Sequence, residues 1–124
     1  MKIIEAIHKL DALKFNTYSQ NDKIQWLSKL DLAVKRLIMD NCEENPAADF
    51  QGYTVDVPLD TELLVPAPFD EIYIRWLEAQ IDYHNGEIDR YNNSISLYNA
   101  MFDAYGSYYI KHHKPKSRGS RFLF

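Results

Sequence analysis

The stretch Ile81-Asp82-Tyr83-His84-Asn85-Gly86-Glu87-Ile88-Asp89-Arg90-Tyr91 decides how the second half of this chain folds. On either side of it, apolar and tyrosine residues recur in steps of three and four. Ile74, Leu77, Ile81 and His84 come before the dipeptide Asn85-Gly86, and Ile88, Tyr91, Ile95, Tyr98, Phe102, Tyr105 and Tyr109 come after. That spacing is the seam of an amphipathic helix. Asn85-Gly86 admits two readings. A left-handed glycine cap would end the helix and allow a hairpin. Against it, the seam keeps its phase across the dipeptide, and a glycine inside a helix costs only about 1 kcal/mol relative to alanine. This favours one long helix, bent near Asn85-Gly86. Such a helix spans about 54 Å at 1.5 Å per residue, too long for a chain of 124 residues to cover by itself. Its seam asks for a partner.

Upstream, Leu64-Val65-Pro66-Ala67-Pro68-Phe69-Asp70 supplies a helix start, with Asp70 as the N-cap and Glu71 favourable in the first turn. From Pro46 to Pro68 periodicity vanishes, and Gly52, Pro58, Pro66 and Pro68 punctuate short extended pieces at 53–57 and 63–65. A stretch of that length without regular structure reads as an ordered functional loop, here with a short β element. Before it, Ser19 and Asp22 resemble a capping box ahead of Ile24, Leu27, Leu30, Val34, Leu37 and Ile38, predicting a helix over 20–41. Ile3, Ile4, Ile7, Leu10 and Leu13 predict a shorter helix over 2–14. The fold class is therefore all-α: a small helical bundle with a long C-terminal amphipathic helix, an ordered Pro-rich middle loop and an extended C-terminal arm. Residues 1–110 form the helical domain and 111–124 the arm, and the fold is expected to survive removal of the residues after Tyr109.

Length supports one domain with a core of its own. The single Cys42 cannot close an intrachain disulfide, and Lys2, Glu5, Lys9 and Asp11 interrupt every early apolar run, so neither a membrane span nor a signal-peptide core can be drawn. A reducing compartment is the expected home. Net charge is -4, unevenly spread. No acidic residue follows Asp103, while Lys111, Lys114, Lys116, Arg118 and Arg121 put +5 on the last fourteen residues and leave -9 on the rest. An acidic body repels nucleic acid, and a basic arm is drawn to phosphate or to an acidic protein surface.

Eight of the nine tyrosines lie after Gly52, and tyrosine gives large contact area at low entropic cost. Tyr73, Trp76 and Tyr83 are expected to pack on the second helix. Tyr91, Tyr98, Phe102, Tyr105, Tyr108 and Tyr109 are expected to face a neighbouring subunit, because little chain remains to cover them. His84 reads as a half-buried seam residue without metal partners, and adjacent His112-His113 point about 100° apart on a helix, which disfavours a shared metal. No paired carboxylates, phosphate loop, nucleophile triad or activated cysteine can be assembled, so neither an enzyme nor a cofactor is expected. The arm joins cations to an apolar end. Lys111, His113, Lys114, Lys116, Arg118 and Arg121 suit an acidic rim, and Phe122, Leu123 and Phe124 suit a pocket.

The ordered string Asp60-Thr61-Glu62-Leu63-Leu64-Val65-Pro66-Ala67-Pro68-Phe69-Asp70, followed by Tyr73, Ala79, Ile81-Asp82, Asn85, Glu87, Tyr91-Asn92-Asn93 and Tyr98-Asn99 and preceded by Trp26-Leu27, resembles the small head-tail connector or adaptor proteins of tailed bacteriophages. The resemblance covers roughly residues 20 to 115. It implies an all-helical, non-enzymatic virion protein, made in the host cytoplasm, that docks as a usually dodecameric ring under the portal protein. Neighbouring copies would be its lateral partners, the next tail or stopper component its distal one, and DNA would pass through its channel without specific binding. No membrane is implied. The arm as the portal-docking element comes from its composition, not from the family. A different reading of the same arm is a small helical protein that binds nucleic acid through basic and aromatic residues.

Overall fold

Two N-terminal helices and a helical hairpin enclose the core. The computed structural model describes residues 1–116. Its elements are α1 (Ile3–Leu13), α2 (Gln20–Leu37), α3 (Ile72–His84) and α4 (Ile88–His112), with 3-10 turns at Met39–Asn41 and Phe69–Glu71. The all-α class holds. The long helix does not.

At Asn85-Gly86 the chain reverses. Gly86 has φ +75°, its N–H donates to the Tyr83 carbonyl at 3.1 Å, and the Glu87 N–H reaches back to the Asp82 carbonyl at 2.9 Å. These two bonds are the Schellman pair that closes a helix through a left-handed residue, a conformation that glycine adopts without a Cβ penalty. Helix α4 then runs antiparallel to α3, their contact the most extensive between any two elements. Ring pairs track the reversal: Tyr83 with Tyr91 at 5.5 Å near the turn, Trp76 with Tyr98 at 4.8 Å midway, and Phe69 with Tyr105 at 5.3 Å at the far end. Preserved phase carried no information here, because in a hairpin both limbs turn a three/four stripe toward each other.

The core joins Ile3, Leu10, Ile24, Leu27, Leu30, Val34, Ile72, Tyr73, Leu77 and Ile81, all essentially inaccessible, to Tyr98, Tyr105 and Tyr109 from α4. Two residues of the predicted stripes, Leu13 and Leu37, are 58% and 63% exposed, although Ile38 next to Leu37 is buried. Ser19 caps α2 by accepting from the Asp22 N–H at 3.1 Å. Asp70 does not cap α3, which instead grows out of the 3-10 turn at Phe69–Glu71 with no side-chain cap.

Loop 46–68 is ordered by its partners. The Ile3 and Ile4 N–H groups donate to Thr61 and Leu59 carbonyls, both at 3.0 Å, and the Leu63 N–H donates to the Met1 carbonyl at 2.9 Å. Loop carbonyls thus take up orphan donors at the start of α1. The described residues contain no strand; where a short β element was expected, Lys2 and Glu62 form an isolated antiparallel bridge. Gly52, at φ +99°, passes so close to α2 that an added Cβ would lie 2.5 Å from the Ser28 hydroxyl oxygen.

One buried ion pair locks the hairpin to the rest. Lys14 Nζ, just past α1, lies 2.5 Å from Oδ1 of Asp82, whose side chain is 1% exposed, and Ser94 of α4 donates to Oδ2 at 3.0 Å. Removing one partner of a buried pair strands the other. Lys14→Met should therefore cost about 3 kcal/mol or more in urea denaturation. Gly86→Ala should cost about 1 kcal/mol in the same assay; its Cβ would meet nothing within 4 Å, so the loss is the left-handed backbone alone.

Candidate interaction surface

Folding α4 back on α3 consumes most of the aromatic ladder. Tyr98, Tyr105 and Tyr109 are buried within their own chain, and burial pushes the Tyr105 hydroxyl up to about 12. Their expected availability to a neighbouring subunit fails because the hairpin supplies the missing cover. Tyr91 and Phe102 remain half-buried, and Tyr108 is exposed, set against Phe69 at 4.7 Å and stacked on His112 at 4.1 Å. Tyr73 and Trp76 do pack on the second helix, with the Trp76 indole N–H donating to the Trp26 carbonyl at 2.7 Å. Tyr83 does not. It is 58% exposed and sits against His84 and Tyr91. His84 is exposed too, held by Nδ1 at 2.8 Å from the Gln80 carbonyl and by the Trp26 ring at 5.2 Å.

What stays open is a groove of about 590 Å³ between the end of α2 and the last third of α4. Leu37, Ile38, Phe102 and Ile110 give it an apolar lining, and Asp103 and Lys111 lie on its walls. Gly106 keeps it deep: a Cβ there would touch the Ile38 side chain at 3.6 Å. The groove exists because Leu37 ends its helix turned away from the core, beside Ile110, itself 39% exposed.

The arm begins later than composition implied. Lys111 and His112 belong to α4, and His113 terminates it, stacked on Tyr109 at 3.7 Å with Nδ1 2.9 Å from the Tyr109 carbonyl. Residues 114–116 then run antiparallel to 41–43. The Glu43 N–H donates to the Lys114 carbonyl at 2.9 Å, the Lys116 N–H donates to the Asn41 carbonyl at 2.8 Å, and Cys42 bridges Pro115. Lys114 Nζ lies 3.5 Å from Glu43, both side chains well exposed, so this pair adds little. A cut after Tyr109 would remove these contacts. Arg118, Arg121, Phe122, Leu123 and Phe124 lie outside the described residues.

Two buried groups could in principle carry chemistry, and neither is placed for it. The Cys42 thiol is inaccessible and burial pushes its pKa up, which suppresses the nucleophilic thiolate. Asp31, 0% exposed, is enclosed by donors from the middle loop and α3. Tyr53 donates to its Oδ2, Tyr73 donates to Oδ1 at 2.6 Å, and the Leu64 N–H donates to Oδ2 at 3.1 Å. The Tyr73 hydroxyl in turn accepts from the Val65 N–H at 2.7 Å. Sequence reading passed over Asp31, although its signal was available: it stands four residues after Leu27 and three before Val34, an acid on an apolar stripe. Among the described residues no cluster of three or more His, Cys, Asp or Glu could hold a metal ion, and no helix is long and apolar enough to cross a membrane.

Comparison with protein-family models, with curated proteins and with solved structures finds no match.

Asp31 should nevertheless be visible in the pH dependence of stability. Burial raises its pKa in the folded chain by more than its three hydrogen bonds lower it. Its contribution is then fully present below the ordinary carboxylate pKa of about 3.9 and is lost as pH rises through the raised folded value. Measured by urea denaturation from about pH 3 to about pH 7, the stability of the native chain relative to Asp31→Asn should fall as pH rises. A flat difference would show that Asp31 titrates alike in both states.

Proposed function

We propose that this chain is a structural head-tail adaptor of a tailed bacteriophage, one copy of a ring that docks on the portal vertex, extends the DNA channel and joins capsid to tail. The observation that carries the reading is the ordered string from Asp60 to Asn99. Several of its residues brace the fold. Leu64 and Tyr73 donate to Asp31, Asp82 holds Lys14 and Ser94, and Asn85 accepts a 2.5 Å hydrogen bond from the Tyr18 hydroxyl beside the reversal. Residues spent on bracing suit a scaffold protein.

The charge partition supports the same role. An acidic body does not retain passing DNA, since phosphate is held by cations that displace its counterions. The basic arm is left to find an acidic partner surface on the portal. Lateral contacts between copies fall to the side chains that the hairpin leaves outside: Tyr108, Leu97 and Ile110 on α4, Leu37 on α2, and the accessible parts of Tyr91 and Phe102. The protein so read is a non-enzymatic virion component of the head-tail interface, assembled in the host cytoplasm, with the portal, its own neighbours and the next tail or stopper component as partners.

The test is co-sedimentation with the assembled portal of the same genome, full chain beside a chain ending at Lys116. The full chain should pellet in stoichiometric amounts and the shortened one should not. Equal pelleting of both would keep the adaptor and remove the arm from docking. Absence of binding by either, with salt-sensitive DNA binding by the full chain, would replace the adaptor with the nucleic-acid reading.

A further inference from the structure

The α4 wall of the open groove has a charge pattern that is its own complement. Asp103, Gly106, Ser107, Ile110 and Lys111 all line the groove, and residues three and four apart on a helix share one face. Asp103, Ser107, Ile110 and Lys111 are exposed. The acid stands four residues before Ser107 and the base four residues after it. Eight residues separate the two charges, about 12 Å along the helix at 1.5 Å per residue, so they are too far apart to pair with each other. A half-turn about an axis through Ser107, perpendicular to α4, exchanges their positions.

We infer that the occupant of this groove is a second copy of the chain, seated as a two-fold pair in which the two α4 helices run antiparallel and cross at Ser107. Each Asp103 then faces Lys111 of the partner subunit, and the same contact is made twice, as a two-fold interface requires. Charge also fixes the direction of the pairing. Side-by-side parallel helices would set Asp103 against Asp103 and Lys111 against Lys111, a repulsion that selects against that arrangement. Between the charges, Gly106 has no side chain to hold the helices apart, which leaves a hollow for an apolar side chain of the other copy. The projecting side chains are present on the same face: Leu37 is 63% exposed and Ile110 39%. A helix of a different protein would have to carry the reversed charge spacing on its own account, whereas this chain already carries it.

Affinity and specificity come from different parts of this face. Removing Leu37 and Ile110 of both copies from water drives the association. The ion pairs lie at the groove's edge and set register and direction more than strength. The inference concerns the free protein and does not rest on the adaptor reading, because a two-fold pair is closed whereas a ring is built from head-to-tail contacts. The two assemblies exclude each other where both use Leu37 and Ile110, so a molecule held in the pair cannot offer those side chains to a ring neighbour.

The experiment is sedimentation velocity on a dilution series of the full chain, with circular dichroism to verify that each variant is folded. The native chain should pass from dimer to monomer on dilution, with nothing larger. Asp103→Lys and Lys111→Asp, each of which turns both ion pairs into like-charge pairs, should raise the dissociation constant about tenfold or more. The double variant Asp103→Lys/Lys111→Asp should return it to near the native value, a rescue that damage to the fold would not produce. Leu37→Ser changes a side chain the core does not use and should weaken the dimer as well, which tests the same face should a charge variant fail to fold. A native chain that stays monomeric throughout the series would overturn the proposal. So would a dimer indifferent to the single charge variants, a double variant no tighter than either single one, or association that continues past two copies. Failure to co-sediment with the portal would leave each of these outcomes as it stands.

Discussion

Gly86 carries one backbone conformation, φ +75°, on which the arrangement of everything after it depends. The left-handed step closes α3 with a Schellman pair and sends α4 back along the surface it came from. Without it, Tyr98, Tyr105 and Tyr109 would stand on an isolated helix in water. With it, they become the outer wall of the core, and the end of α4 arrives beside the end of α2. The groove, the pairing of 114–116 with 41–43 and the starting point of the basic segment are all consequences of that return. A surface thirty residues downstream is in this sense set by one glycine.

Apolar packing alone would not fix the return so sharply. Two buried carboxylates do that, each gathering elements far apart in sequence. Asp82 takes Lys14 from just beyond α1 and Ser94 from α4. Asp31 takes the middle loop through Tyr53 and Leu64, and α3 through Tyr73. Each is costly to bury and is tolerated because donors meet Asp31 and the Lys14 ammonium and Ser94 meet Asp82, which makes any alternative packing that strips them away expensive. The long loop is ordered for this reason, despite having no strand among the described residues.

The helical stretches were legible from spacing, though as three helices and not four, as were the Ser19 cap and the packing of Tyr73 and Trp76 on α2. The reversal was not, although Asn85-Gly86 was the relevant signal. Periodicity reports which face of a helix is buried but not by what. A seam facing its own chain and a seam facing a partner read alike, so α4 looked like an interface when it was mostly core. Helix ends misled in the other direction: Leu13 and Leu37 continue their stripes but turn to solvent. Of the candidate surface, the cations of the arm were legible as composition. The groove was not, because it is made by Leu37, Ile38, Phe102 and Ile110, which come together only after the hairpin closes.

Separation of fold from surface also explains why charge and aromatic content are distributed as they are. Asp31, Tyr73, Asp82 and Gly86 sit at braces and at the reversal, where a change would cost stability. The features suited to partners lie outside that framework: an apolar groove whose depth depends on Gly106, and a cationic stretch that starts at Lys111 on its wall.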